Sequence, residues 1–224
     1  MSIRDNTVGI AALWLLAVFT SAHTAAQGSS PYDLVQSTTE QVMEVVVAAD
    51  EYVDAEPDRY YTQIQDLLDP LIDFRGFARN VMGPYANSKR YRSLDEAGRQ
   101  QLKDQLDRFT AAMRASLVRT YSNGLLAFGG SRIEVIPPEE GVEMDEARQS
   151  VRQLIYADRS QPYEVLYQMG LERSGDWKLR NVIIEDVNLG EIYRDQFLTS
   201  AREQDGNLEA VIDTWTIVVV EVDE

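Results

Sequence analysis

The chain of 224 residues contains no cysteine and a single histidine, His23. Without a thiol there is no Cys nucleophile, no disulfide, no thiolate metal site and no iron–sulfur cluster. His23 lies in a segment expected to be removed, as argued below. The rest of the chain then has no imidazole for a Ser–His–Asp triad, a His-ligated metal or a proton shuttle near neutral pH. Positive charge is also scarce, with 21 Lys+Arg against 37 Asp+Glu and a net charge of −16. A nucleic-acid binder needs a basic footprint that this balance does not supply. Long apolar runs are missing too. Ile10–Phe19 is ten residues long, against the roughly 20 needed to span a bilayer.

What is present is a hydrophobic content of 44%, ample for a folded core. The length suits one domain, or at most two small ones. The amino terminus reads as an address. Arg4 sits in a short n-region, Ile10–Phe19 is the apolar segment, and Thr20–Ala26 is small and polar. Thr24 and Ala26 fit the −3 and −1 positions of a signal-peptidase site. Residues 1–26 are therefore expected to be a cleaved signal peptide that takes His23 with it. An exported chain without cysteines does not suit an extracellular disulfide scaffold. It suits the bacterial periplasm.

Residues 27–215 read as one domain. Helices are expected from Asp33 to about Asp50, after Pro57 until Pro70, and from Asp73 to Met82. Ser93-Leu-Asp-Glu96 reads as a capping box opening a long fourth helix. Its apolar stripe is Leu102, Leu106, Phe109, Met113, Leu117, Tyr121, Leu125 and Phe128, with Gly129-Gly130 as the stop. The period then switches to two. Strands are expected at Arg132–Ile136, Gln149–Ala157, Tyr163–Arg173 and Trp177–Val187, joined by short turns into an antiparallel meander. Glu139–Glu146 is an acidic connector. Helices follow at Leu189–Arg202 and up to Trp215, and Thr216–Val222 is β-prone. The result is an α+β domain: a four-stranded antiparallel sheet covered by a helical subdomain and able to enclose an apolar pocket.

No nucleophile elbow, phosphate loop, dinucleotide fingerprint or metalloprotease motif is present. Glu185-Asp186 is the best carboxylate pair, but neighbours on a strand point to opposite faces. The acidic connector lacks calcium-loop spacing. Lys89-Arg-Tyr-Arg92 is a basic cluster in an acidic chain, and reads either as a solvated inter-helix loop or as a surface for an anionic partner. The aromatic-rich stripe reads either as core or as the wall of a ligand cavity.

Three segments carry a resemblance. They are Leu67-Leu-Asp-Pro-Leu-Ile-Asp-Phe-Arg-Gly-Phe-Ala-Arg-Asn-Val-Met-Gly-Pro-Tyr85, Arg119-Thr-Tyr-Ser-Asn-Gly-Leu-Leu-Ala-Phe-Gly-Gly130 and Val182-Ile-Ile-Glu-Asp-Val-Asn-Leu-Gly-Glu-Ile-Tyr-Arg-Asp-Gln-Phe197. In order and spacing, across residues 33–215, they resemble the MlaC or toluene-tolerance auxiliary family. The resemblance implies a non-enzymatic periplasmic phospholipid carrier with no cofactor. It also implies two partners: an inner-membrane ABC transporter with an MCE-domain subunit, and an outer-membrane lipoprotein–porin complex. In the matched segments it places Phe74, Val81, Tyr85, Tyr121 and Leu125 in a helical wall. It likewise places Ile184, Val187, Leu189, Tyr193 and Phe197 in a strand-to-helix wall. The stripe and strand alternation add Phe109, Met113, Val135, Val165, Tyr167 and Met169 to the lipid-binding residues. Asp186 departs from the family, which usually has a small residue there, and the tail 216–224 is not a family feature. Two alternatives stand beside this reading: a carrier of another apolar lipid such as a hopanoid, and a non-catalytic periplasmic adaptor with a filled core. For a carrier, the charge of −16 implies repulsion from anionic bilayers and handover through proteins.

Overall fold

Ser30 opens the first helix, α1 (Pro31–Ala49), with a reciprocal cap. Its hydroxyl accepts from the Asp33 amide, and the Asp33 carboxylate accepts from Ser30. This computed structural model describes residues 29–139, 141, 145–157 and 160–217. The expected signal peptide, part of the acidic connector and the tail beyond Ile217 lie outside them. No helix among the described residues is long and apolar enough to cross a membrane.

Helices α2 (Pro57–Leu68) and α3 (Phe74–Met82) follow, and a 3₁₀ turn at Gly83–Tyr85 closes α3. Lys89–Arg92 is not an irregular loop. It forms a short helix, α4 (Ser88–Ser93), because Asn87 caps it by accepting from the Arg90 amide at 2.8 Å. The long helix α5 (Glu96–Leu126) starts from a different cap than the sequence suggests. Ser93 ends α4 and spends its hydroxyl on the Arg90 carbonyl at 2.7 Å. Asp95 caps α5 instead, accepting from the Gly98 amide at 2.8 Å.

The sheet has five strands, in the order β1 (Arg132–Ile136), β2 (Arg148–Tyr156), β3 (Tyr163–Leu171), β4 (Trp177–Ile184) and β5 (Val187–Asn188), all antiparallel. The expected four-strand count misses the last one. Glu185 and Asp186 both take positive φ, 48° and 66°. They turn the chain back within two residues, so Val187 pairs with Ile184 instead of continuing β4. Helices α6 (Leu189–Glu203) and α7 (Leu208–Asp213) complete the fold.

One irregularity shapes the sheet. Gln168 pairs with Asn181 and Met169 with Leu179, so Arg180 is an extra residue on β4. A bulge bends its strand and resets which side chains face inward. Leu179 before it and Val182 after it therefore share the face that looks toward the helices. The neighbouring segment Leu71–Asp73 docks on β4 here: Leu179 N–H donates to the Leu71 carbonyl at 2.9 Å, and Asp73 N–H to the Leu179 carbonyl at 3.2 Å.

Three apolar clusters brace the molecule. The largest joins α3, the first half of α5, α6 and α7, around Phe109, Phe197 and Trp215 with rings 4.8 to 5.9 Å apart. A second joins α1, Leu71 and the sheet through Val35, Val135, Val151, Met169 and Leu179. The third closes the α1–α2 hairpin around Tyr60 and Ile64, which are fully buried.

Asp73 connects these parts. Its carboxylate caps α3 by accepting from the Gly76 amide at 2.8 Å, and it pairs with Arg180 of the bulge. An added Cβ on Gly76 would fall onto that carboxylate, so only glycine fits there. Asp73→Ala should lower unfolding stability in urea by about 1–2 kcal/mol, chiefly through the lost cap.

Candidate functional site

Between the clusters lies a cavity of about 480 Å³, within the usual size range of ligand pockets. Its walls come from four directions. Helix α1 contributes Val35, Thr38, Thr39, Val42 and Met43, the i, i+3, i+4, i+7, i+8 face of one helix. The α2–α3 connection brings Leu68, Leu71, Ile72, Phe74 and Phe77. The last turns of α5 and the residues after it bring Leu117, Val118, Tyr121, Leu125 and Phe128. The sheet supplies Ile133, Gln153, Ile155, Tyr163, Val165, Tyr167, Val182 and Ile184, with Leu189 at the start of α6.

The few polar groups in this wall are turned onto one another. The Tyr167 hydroxyl donates to Gln153 Oε1 at 2.7 Å, and Gln153 Nε2 donates to Thr39 Oγ1 at 2.7 Å. The Tyr121 and Tyr193 hydroxyls share a hydrogen bond at 2.6 Å. Asn181 spans Gln168 and Asn188 at 3.0 and 2.8 Å, and accepts from the Gly190 amide. Arg180 is held by Asp73 and Glu172. A polar group that already has a partner does not need water, so the interior behaves as an apolar solvent. Among the described residues, no group of carboxylates is placed to hold a metal ion.

The expected wall residues separate into two sets. Phe74, Tyr121, Leu125, Val165, Tyr167, Ile184 and Leu189 line the cavity. Val81, Phe109, Met113, Tyr193 and Phe197 are packed solidly in the largest cluster, with Tyr85 against its edge. Val135 and Met169 lie on the inward face of the sheet but are closed off in the cluster under α1. Val187 sits in the two-residue β5, half-buried, away from the lining. The α5 stripe is thus divided: Leu102 to Met113 is core and Leu117 to Phe128 is cavity wall.

Sequence reading missed the α1 wall. It drew the apolar side of that helix through Leu34, Val45 and Val46, whereas the wall runs through Val35, Thr38, Thr39 and Val42. Two threonines interrupt a hydrophobicity count, although each presents a methyl group. Gln153 was missed for the same reason. The alternation Val151, Gln153, Ile155 in β2 was the available signal.

The buried phenols report on this dryness. Burial pushes Tyr60 up to about 12, and it raises Tyr121, Tyr167 and Tyr193 above the ordinary value as well. The folded state holds them protonated. Their contribution to stability is therefore complete below the unfolded value near 10, and is lost as pH rises through the folded values. Unfolding free energy should be insensitive to these groups from about pH 7 to 9, and should fall above about pH 10. Phenolate absorbance should lag the ordinary titration until the chain unfolds. Tyr60→Phe should flatten part of that alkaline fall.

With this geometry in hand, the relatives are informative. The chain is 30% identical over 203 residues to the toluene tolerance protein ttg2D of Pseudomonas putida, an alignment covering 91% of this chain and 86% of that protein. Its fold is similar to that of a phospholipid-binding protein from Ralstonia solanacearum, solved in complex with a phospholipid. The TM-score is 0.62 at 17% sequence identity, over 83% of this chain and 94% of that one. The family model described as MlaC protein matches residues 36–216, and the chain belongs to the MlaC family.

Proposed function

We propose that this chain is a periplasmic carrier that holds the acyl tails of a phospholipid in the cavity and moves the lipid between outer-membrane and inner-membrane transport complexes. The observation that carries this reading is the cavity itself, an apolar space whose wall polar groups are satisfied within the wall. Each CH₂ buried is worth about 0.8 kcal/mol, and two tails hold on the order of 30, so exposing them to water costs roughly 20 kcal/mol. A carrier must shield most of that surface, and a wall without unpaired polar groups does so without competing for water. A filled core would have favoured an adaptor. An unfilled apolar void of this size would cost on the order of 10 kcal/mol, comparable to a domain's whole stability. The Ralstonia solanacearum protein of similar fold, solved with a phospholipid, supports a phospholipid over a hopanoid as cargo.

The remaining parts of the reading follow from the sequence. Residues 1–26 export the chain and are removed. The partners are an ABC transporter with an MCE-domain subunit at the inner membrane and a lipoprotein–porin complex at the outer membrane. No catalytic step is assigned to the chain, whose work is binding and release.

Native mass spectrometry of protein purified from a Gram-negative host should show a population heavier by one phospholipid. Delipidated protein should take lipid up from vesicles. Recovery of lipid-free protein only, with no uptake, would contradict the carrier reading. Val165→Trp and Leu125→Trp place an indole in the cavity and should cut lipid occupancy at least tenfold while the fold persists by circular dichroism. Phe109→Leu, in the solid cluster, should instead lower stability by about 1–3 kcal/mol with occupancy unchanged.

A further inference from the structure

In this acidic chain, most arginines near a carboxylate are paired with it. Arg75 meets Asp107 at 2.8 Å, Arg114 meets Asp69, and Arg108 holds Glu209 and Asp213. One surface differs. Lys89, Arg90 and Arg92 on α4, with Lys103 on α5, are all exposed. None of them has a carboxylate within 4.0 Å among the described residues. Arg99 joins them. Its Nε donates to the Tyr91 carbonyl at 3.1 Å, and its guanidinium lies 5.4 Å from the Tyr91 ring centre, with Lys103 at 6.0 Å. The cations are therefore held in position without being neutralised.

Beside this patch is a cleft of about 240 Å³. Leu94, Leu102 and Leu208 line it, with Arg90 and Gln101 contributing. Glu209 also lines it, but its carboxylate is taken by Gln105 at 3.0 Å and by Arg108.

We propose that α4, the first turns of α5 and this cleft form a docking surface for an acidic segment of a protein partner that carries one apolar anchor side chain. Carboxylates of the segment meet the five cations, and the anchor enters the cleft. A lipid surface fits less well. Exposed Asp95, Glu96 and Asp104 interleave with the cations, and a flat anionic plane would meet them all at once. A shaped segment reaches the cations singly. The net charge of −16 further repels any extended anionic surface. The surface involves none of the cavity residues, so the inference does not depend on the cargo.

The test uses ¹⁵N-labelled full-length mature protein at about 0.15 M salt, where the screening length is about 8 Å and the distant negative charge is muted. The probe is a synthetic peptide of Glu and Asp residues around one central Leu. Saturable amide shifts confined to residues 88–103 and 206–209 are expected. The variant K89E/R90E/R92E, altered only at exposed positions, should bind at least tenfold more weakly with an unchanged unfolding midpoint. Replacing the central Leu by Ser, or filling the cleft with Gln101→Trp, should each weaken binding severalfold. Absence of shifts at these residues, or shifts elsewhere on the chain, would overturn the proposal. Tighter engagement of the same residues by phosphatidylglycerol vesicles than by the peptide would also overturn it, and would assign the patch to a membrane surface.

Discussion

A cavity inside a single chain closes unless its walls are stiffer than the drive to collapse them, because interiors pack as densely as organic crystals. Everything else in this fold follows from that constraint. The three apolar clusters lie around the cavity and fix its boundaries. The aromatic cluster of Phe109, Phe197 and Trp215 holds α5 at one end. The α1–α2 hairpin, closed around Tyr60 and Ile64, faces the other end of that helix, where the Tyr60 hydroxyl donates to the Ser122 carbonyl at 2.8 Å. The cavity wall between them is one side of a rod anchored at both ends.

The sheet answers the same constraint differently. A flat sheet would lie against the helices and leave little space. The extra residue Arg180 bends β4 and lets Leu179 and Val182 face inward together. The chain makes room for the groups at this bend with glycines. A Cβ on Gly170 would come within 3.0 Å of the Arg180 stem, and one on Gly190 within 2.7 Å of Asn181 Oδ1. Asp73 then joins the bend to α3 through its cap and its pairing with Arg180. These ion pairs are part-exposed and add little stability, but they set where the helical half meets the sheet.

Much of this architecture was legible in the sequence because caps and periods are local. Asp73 before α3, the Pro57 start of α2 and the four strand-length alternations all led to elements in the right order. The fold class followed from that order. The site was legible only in part, because its decisive features are not local. Leu106 and Leu125 sit on one apolar stripe of one helix, yet the first is core and the second is wall. Hydrophobic periodicity reports that a face is buried, not whether a side chain or a ligand covers it. Phe109 and Phe197 look like pocket residues because they are large and aromatic, and that same bulk lets them fill space against Trp215. Thr38, Thr39 and Gln153 look like solvent residues because their polar atoms are counted before their partners are known. The bulge at Arg180 and the left-handed turn at Glu185–Asp186 depend on cross-strand register, which no single strand displays.

The central claim is that the division of the α5 stripe separates structural core from lipid wall. A phospholipid with a photoactivatable diazirine near the end of one tail addresses it directly. After loading, irradiation and peptide mass spectrometry, labels should fall on the 117–128 stretch of α5, on the inward residues of β2 to β4, and on the inner face of α1. Labelling concentrated on residues 102–113, or on the outer face of the sheet, would contradict the account.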